Sequence, residues 1–148
     1  MNRRELLEFA TAASLMSANV AVADSPAASE QAHDHAAGIT KYGDLVSATS
    51  KCVNTAEACL AHCVGQLMDG NTEMKNCTLT SQDVITACTA VREMAARNAP
   101  RVAQMAAVCG KICRDCEAEC KKHETHKVCR DCRDSCAECA KECEKLAA

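Results

Sequence analysis

The sequence predicts an all-α protein, an antiparallel four-helix bundle with a cysteine-lined core. Three observations predict it. Cysteines recur three, four, seven and eleven residues apart, which places them on one face of a helix. The chain is rich in Ala, Glu, Lys and Arg and has no alternating β-branched run that would make a strand. Turn signals divide the part after residue 40 into four segments joined by short loops, and short loops give antiparallel neighbours. Phe9 and Tyr42 are the only aromatic residues besides histidine, and there is no tryptophan. The 14 cysteines must therefore fill much of the interior, since a free thiol behaves as a small buried hydrophobe.

The first helix is expected over residues 41–68. It stops at Asp69-Gly70-Asn71, a turn signal. The second is expected over 71–97, loosened around the CTLTS stretch at 77–81, and Pro100 ends it. Pro suits the first turn of a helix, so the third is expected over 100–122. KHETH, residues 122–126, is a tight polar connection, and the fourth helix is expected over 126–146. Each helix turns about 100° per residue. On that basis Cys52, Cys59 and Cys63 fall within about 40° on the first helix. Cys77 and Cys88 lie almost one above the other on the second. Cys109, Cys113, Cys116 and Cys120 span about 60° on the third. Cys129, Cys132, Cys136, Cys139 and Cys143 span about 80° on the fourth. Charges occupy the opposite faces, including Arg114, Asp115 and Lys121, and Arg130, Asp131 and Lys141. Each helix thus turns one thiol stripe inward.

The first 23 residues read as a signal peptide. Arg3-Arg4 is a twin arginine, an Ala-rich apolar stretch follows, and Ala21-Val22-Ala23 fits a cleavage site. The expectation is export by the Tat route to the periplasm, which would carry a folded chain with its thiols intact. The apolar run is too short to span a bilayer. Residues 24–39 read as a flexible mature N-terminus holding an H-x-H pair, His33 and His35, and residues 40–148 as the bundle domain. A net charge of −3 gives no basic field for nucleic acid.

Spacing sorts the chemistry the thiols could do. Disulfide frameworks belong to short, loop-rich chains, whereas these thiols repeat along helical faces, where an i,i+4 bond would be strained. An iron–sulfur run needs C-x₂-C-x₂-C-x₃-C-P on a loop. The series here is C-x₃-C-x₂-C-x₃-C on a helix, with no proline after it. Zinc is a stronger alternative, because Cys113/Cys116 and Cys129/Cys132 are CxxC pairs on either side of a tight connection. Yet about three Zn²⁺ held by twelve thiolates would leave roughly six negative charges buried. Cu(I) favours thiolate and thioether ligands, and its single charge balances one thiolate. The expected capacity is on the order of one Cu(I) per cysteine. Inert packing alone is a poor reading, since Val, Leu or Ala would pack without the risk of oxidation. A thiol oxidoreductase would need an exposed CxxC at a helix start after a strand, which this sequence lacks. His62 fits either a boundary residue or a ligand at the bundle mouth, and Met68 and Met74, flanking the first turn, fit either core filling or a thioether port. Met105 reads as core, and Met94, His123 and His126 as structural or surface residues.

KCVNTAEACLAHC (51–63), EMKNC (73–77), VITAC (84–88) and the C-terminal series together resemble the copper storage proteins, specifically their exported branch. The resemblance covers about residues 40–148. It implies a homotetramer of bundles, each storing many Cu(I) ions in its core, and places His62, Met68 and Met74 near the open end. It also implies a reserve for a copper enzyme, such as a methane monooxygenase, with a ligand-exchange partner or chelator drawing the metal out. A zinc-binding or soft-metal detoxifying role would use the same sulfurs. The chain departs from the family pattern at Gln66 and Asp69, where further methionines are expected, and in carrying four cysteines on the third helix.

Overall fold

A computed structural model describes residues 41–147, and these form four helices and one short 3₁₀ turn. Helix α1 is Gly43–Met68, α2 is Lys75–Ala96, α3 is Val102–Lys121 and α4 is Lys127–Ala147. The helices close in a ring: α1 packs on α2, α2 on α3, α3 on α4, and α4 back on α1. No strand occurs among the described residues. The signal peptide, its Tat motif, His33 and His35 lie outside them.

The expected boundaries hold to within a few residues, except around the first turn. The second helix does not start at Asn71. Gly70 takes φ 89, a conformation that suits glycine, and turns the chain. The Asn71 backbone N–H then donates to the Gln66 carbonyl at 2.9 Å, and the Asn71 side chain accepts from Glu73 N at 3.3 Å. This caps a 3₁₀ turn, Thr72–Met74, that leads into α2. α2 is unbroken through residues 77–81, so the expected loosening there does not occur. Its threonines donate to carbonyls three or four residues back, as Thr78 does to Met74 at 2.9 Å and Thr80 to Cys77 at 3.3 Å, without ending the helix. Pro100 lies two residues before α3, so it sits in the turn and not at the first helical position. That turn also uses Asn98 at φ 52, a left-handed conformation that asparagine tolerates.

The connections 69–74 and 122–126 lie at one end of the bundle, called here the loop end. The far end holds the α2–α3 connection and the apolar residues Leu45, Val91, Ala95, Val102 and Ala106, all buried. The cysteines fill the length between. All 14 are at most 1 % exposed. No aromatic side chain is buried among the described residues. Thr49, fully buried at the far end, satisfies its hydroxyl by donating to the Leu45 carbonyl at 2.7 Å. At Gly110, α3 approaches α4 so closely that an added Cβ would stand 3.1 Å from Cys143 Cβ.

Charged side chains tie the outside. Lys51 of α1 pairs with Glu138 of α4 at 2.6 Å, and Arg114 of α3 takes both Glu144 oxygens at 2.9 and 3.0 Å. Such exposed pairs contribute little each, about 0–1 kcal/mol. A part-buried polar contact, Thr55 with Ser135, also joins α1 to α4.

Candidate metal centre

Every helix directs its whole thiol stripe into the interior, as the wheel geometry requires. α1 supplies Cys52, Cys59 and Cys63; α2 supplies Cys77 and Cys88; α3 supplies Cys109, Cys113, Cys116 and Cys120. α4 supplies Cys129, Cys132, Cys136, Cys139 and Cys143. All are free thiols.

The sulfurs form a continuous file along the bundle. Starting at the loop end, Cys63 lies 3.9 Å from Cys59, and Cys59 lies 3.6 Å from Cys77 and 3.8 Å from Cys129. Cys77 reaches Cys120 at 3.7 Å, and Cys120 reaches Cys116 at 3.8 Å. Cys116 meets Cys132 at 3.9 Å, Cys132 meets Cys136 at 4.0 Å, and Cys136 meets Cys52 at 3.6 Å. Cys88 then joins Cys109, Cys113 and Cys139 at 3.5, 3.7 and 3.7 Å. Five groups have all their sulfurs within 4.8 Å of one another, and between them they use all fourteen cysteines. Two groups hold four sulfurs: Cys52, Cys88, Cys113 and Cys139, and Cys59, Cys63, Cys77 and Cys129. The other three are Cys59, Cys120 and Cys132; Cys109, Cys139 and Cys143; and Cys116, Cys132 and Cys136. Cys59, Cys132 and Cys139 each serve two groups, so neighbouring groups share sulfurs.

The CxxC pairs do not form the paired ligands that the zinc alternative would use. No i,i+3 thiol pair is hydrogen bonded, and none of the five groups contains both members of a CxxC. Cys113 faces Cys52, Cys88 and Cys139, while Cys116 faces Cys132 and Cys136; Cys129 and Cys132 likewise part company. Residues three apart diverge by about 60° around the helix axis, against about 40° for residues four apart. The groups are therefore built across helices and from i,i+4 pairs, and not as zinc knuckles.

The protons of this network are unevenly held. Burial pushes every shifted thiol up, and S–H···S bonds then divide them. Cys59 is pulled down, first by the Cys120 thiol and then by Cys129, and Cys116 first by Cys120. Cys77 is pulled down to about 4, first by Cys120 and then by Cys129. Their neighbours hold protons harder: Cys120 is pushed up foremost by Cys116, Cys88 by Cys109 and Cys136 by Cys113. A thiolate here is supported by thiols that stay protonated. Full deprotonation requires cations among the sulfurs.

Softer and harder donors collect at the loop end. His62 Nε2 and His126 Nδ1 lie 3.1 Å apart, one donating to the other, with ring centroids 4.7 Å apart. Both are half-buried, beside Cys63 and three residues before Cys129 respectively. Met74 is fully buried, whereas Met68 is 84 % exposed. His126 reads from sequence as a structural or surface residue, but the structure pairs it with His62. Its signal is its place at the start of α4, one turn before the first thiol of that stripe. His123 is nearly buried too, with Nε2 3.5 Å from Glu119 Oε1, and Glu119 also holds Lys122. Met94 and Met105 pack partly buried against the core.

The comparisons with known proteins agree with this geometry. A family model described as copper storage protein matches residues 39–148. The uncharacterized cysteine-rich protein YhjQ of Bacillus subtilis (strain 168) is 26% identical over 99 residues, covering 66% of this chain and 90% of that protein. A match over most of the chain, a helical bundle and a core of clustered thiols all point to metal binding. The chain belongs to the copper storage protein family.

Proposed function

We propose that this protein stores Cu(I), on the order of one ion per cysteine, on thiolates inside its bundle. The file of fourteen buried sulfurs carries the reading: eleven sulfur pairs lie 3.5–4.0 Å apart, and groups within 4.8 Å join the rest. Soft, monovalent Cu(I) binds two or three thiolates, and a shared thiolate can bridge two ions. Groups that share Cys59, Cys132 and Cys139 suit that bridging. Each added Cu(I) displaces one proton, so the core stays near neutral while it fills. Because the thiols already pack as apolar side chains, the bundle is ready before metal arrives.

Loading at the loop end is the second part of the reading. Met74 and the His62–His126 pair offer neutral thioether and imidazole donors beside Cys63, Cys77 and Cys129, and the far end is sealed by apolar side chains. The exposed Met68 could meet an incoming carrier first. The protein acts without catalysis, as a periplasmic reserve for a copper enzyme, reached through the Tat route and assembled as a homotetramer.

The test is anaerobic titration of the reduced chain with Cu(I) against a chromophoric chelator. About ten or more tightly held ions are expected. Uptake that stops at about three ions, the tetrathiolate capacity of the core, would sink the reading.

A further inference from the structure

The geometry points to a discrete tetrathiolate site for a divalent, tetrahedral ion such as Zn²⁺ at Cys59, Cys63, Cys77 and Cys129, which the copper-free chain offers before Cu(I) is loaded. The spacing is the first argument. A tetrahedral ion with Zn–S bonds of about 2.3 Å sets its sulfurs about 3.8 Å apart. Cys59 lies 3.9 Å from Cys63, 3.6 Å from Cys77 and 3.8 Å from Cys129, with all four within 4.8 Å. The ligands come from three helices, so the cage is fixed by the packing of α1, α2 and α4 and needs no loop to close.

Charge is the second argument, and it separates this group from the other four-thiol group. Binding one divalent ion releases four protons from four thiols and leaves a net charge of −2 on the site. Cys77 is the third residue of α2 and Cys129 the third residue of α4. Cys129 therefore sits in the first turn of its helix and Cys77 one 3₁₀ turn further in, both near helix N-termini, where the backbone dipole favours negative charge. Cys52, Cys88, Cys113 and Cys139 have comparable sulfur spacing, with 3.7 Å from Cys88 to both Cys113 and Cys139. All four of those lie in mid-helix, where no helix end compensates the charge. Two helix ends favour the loop-end group by about three- to thirtyfold in affinity. An ion held there stands at the loop end of the sulfur file.

This inference does not depend on Cu(I) storage, and the experiment keeps the two apart. The reduced, metal-free full chain is titrated anaerobically with Co²⁺, followed by optical absorption, and the Co²⁺ is then displaced with Zn²⁺. The first equivalent is expected to give the intense spectrum of tetrahedral thiolate-bound cobalt, and a second to bind about three- to thirtyfold more weakly. Cys77→Ala and, separately, Cys129→Ala should weaken the first equivalent by about tenfold or more, since even the loss of an outer-shell partner costs that much. Cys88→Ala should leave it unchanged. Circular dichroism identifies any variant that has not folded, and either loop-end variant alone decides the matter. A weak octahedral spectrum, a first equivalent indifferent to both loop-end variants, or one lost equally in Cys88→Ala would overturn the proposal. Cu(I) capacity of the unmodified chain is measured in parallel, so either reading can fail alone.

Discussion

Replacing Cys88 with alanine, and separately with serine, tests whether sulfur packing holds the bundle together before metal arrives. Cys88 is fully buried, and its sulfur meets those of Cys109, Cys113 and Cys139 at 3.5–3.7 Å. Cys88→Ala removes a sulfur about as large as a methyl group. Lost transfer free energy and the cavity left behind together cost about 1–2 kcal/mol. Cys88→Ser keeps nearly the same shape but buries a hydroxyl among thiols, which are weak partners. That penalty is about 1–3 kcal/mol, offset in part if the hydroxyl donates to the Val84 carbonyl one turn back, as Thr49 does to Leu45. Serine is thus expected to be no better than alanine, although it resembles cysteine more closely. The assay is urea unfolding of the reduced, metal-free chain under strict anaerobiosis, with the slope unchanged between variants. If both variants lie within about 0.5 kcal/mol of the parent, as surface substitutions do, the thiols do not act as core hydrophobes. The claim of a preformed store then falls with them.

Three further outcomes are expected. Leu45→Ala, at the far end, should cost about 2–5 kcal/mol of stability and leave the number of Cu(I) ions bound unchanged, measured by urea melts and by chelator competition. His62→Ala and His126→Ala should slow Cu(I) uptake in stopped-flow mixing while leaving final capacity intact; a loss of several ions at equilibrium would instead make the pair part of the store. Arg114 holds the Glu144 carboxyl below its ordinary range. Its small stabilising effect is therefore present above the unfolded pKa of about 4.3 and lost as pH falls through the lower folded value. Glu144→Gln should flatten that part of the pH–stability profile, and a profile identical to the parent's would show that the pair contributes nothing.

Rotation about each helix was legible in the sequence, but level along the bundle was not. The i,i+3 and i,i+4 pattern put every thiol on an inward stripe, and each is buried as that pattern requires. Which thiols share a group depends on how far each helix slides past its neighbours. That offset is set by the loops and by close approaches such as Gly110 against Cys143, which no periodicity encodes. For this reason the CxxC pairs looked like units and the structure divides them. The first turn was misjudged by a few residues because Asn71 caps a 3₁₀ turn ahead of α2. His126 reads from sequence as a structural or surface residue, and its pairing with His62 is not legible because the two lie 64 residues apart in the chain. Glu119, between Cys116 and Cys120 in sequence, is buried with local partners, Lys122 and His123.

The apolar far end bears on time as well as space. Leu45, Val91, Ala95, Val102 and Ala106 close that end with apolar side chains, and the Thr49 hydroxyl there already donates to Leu45. Under the proposed loading from the loop end, the core would work as a stack: the last ion in is the first out. Ions near Cys63 and Cys77 would exchange with the surroundings quickly, while those near Cys109 and Cys143 would wait until the positions ahead had cleared. One short bundle would then hold a ready supply and a slow reserve in the same row of sulfurs, ranked only by depth.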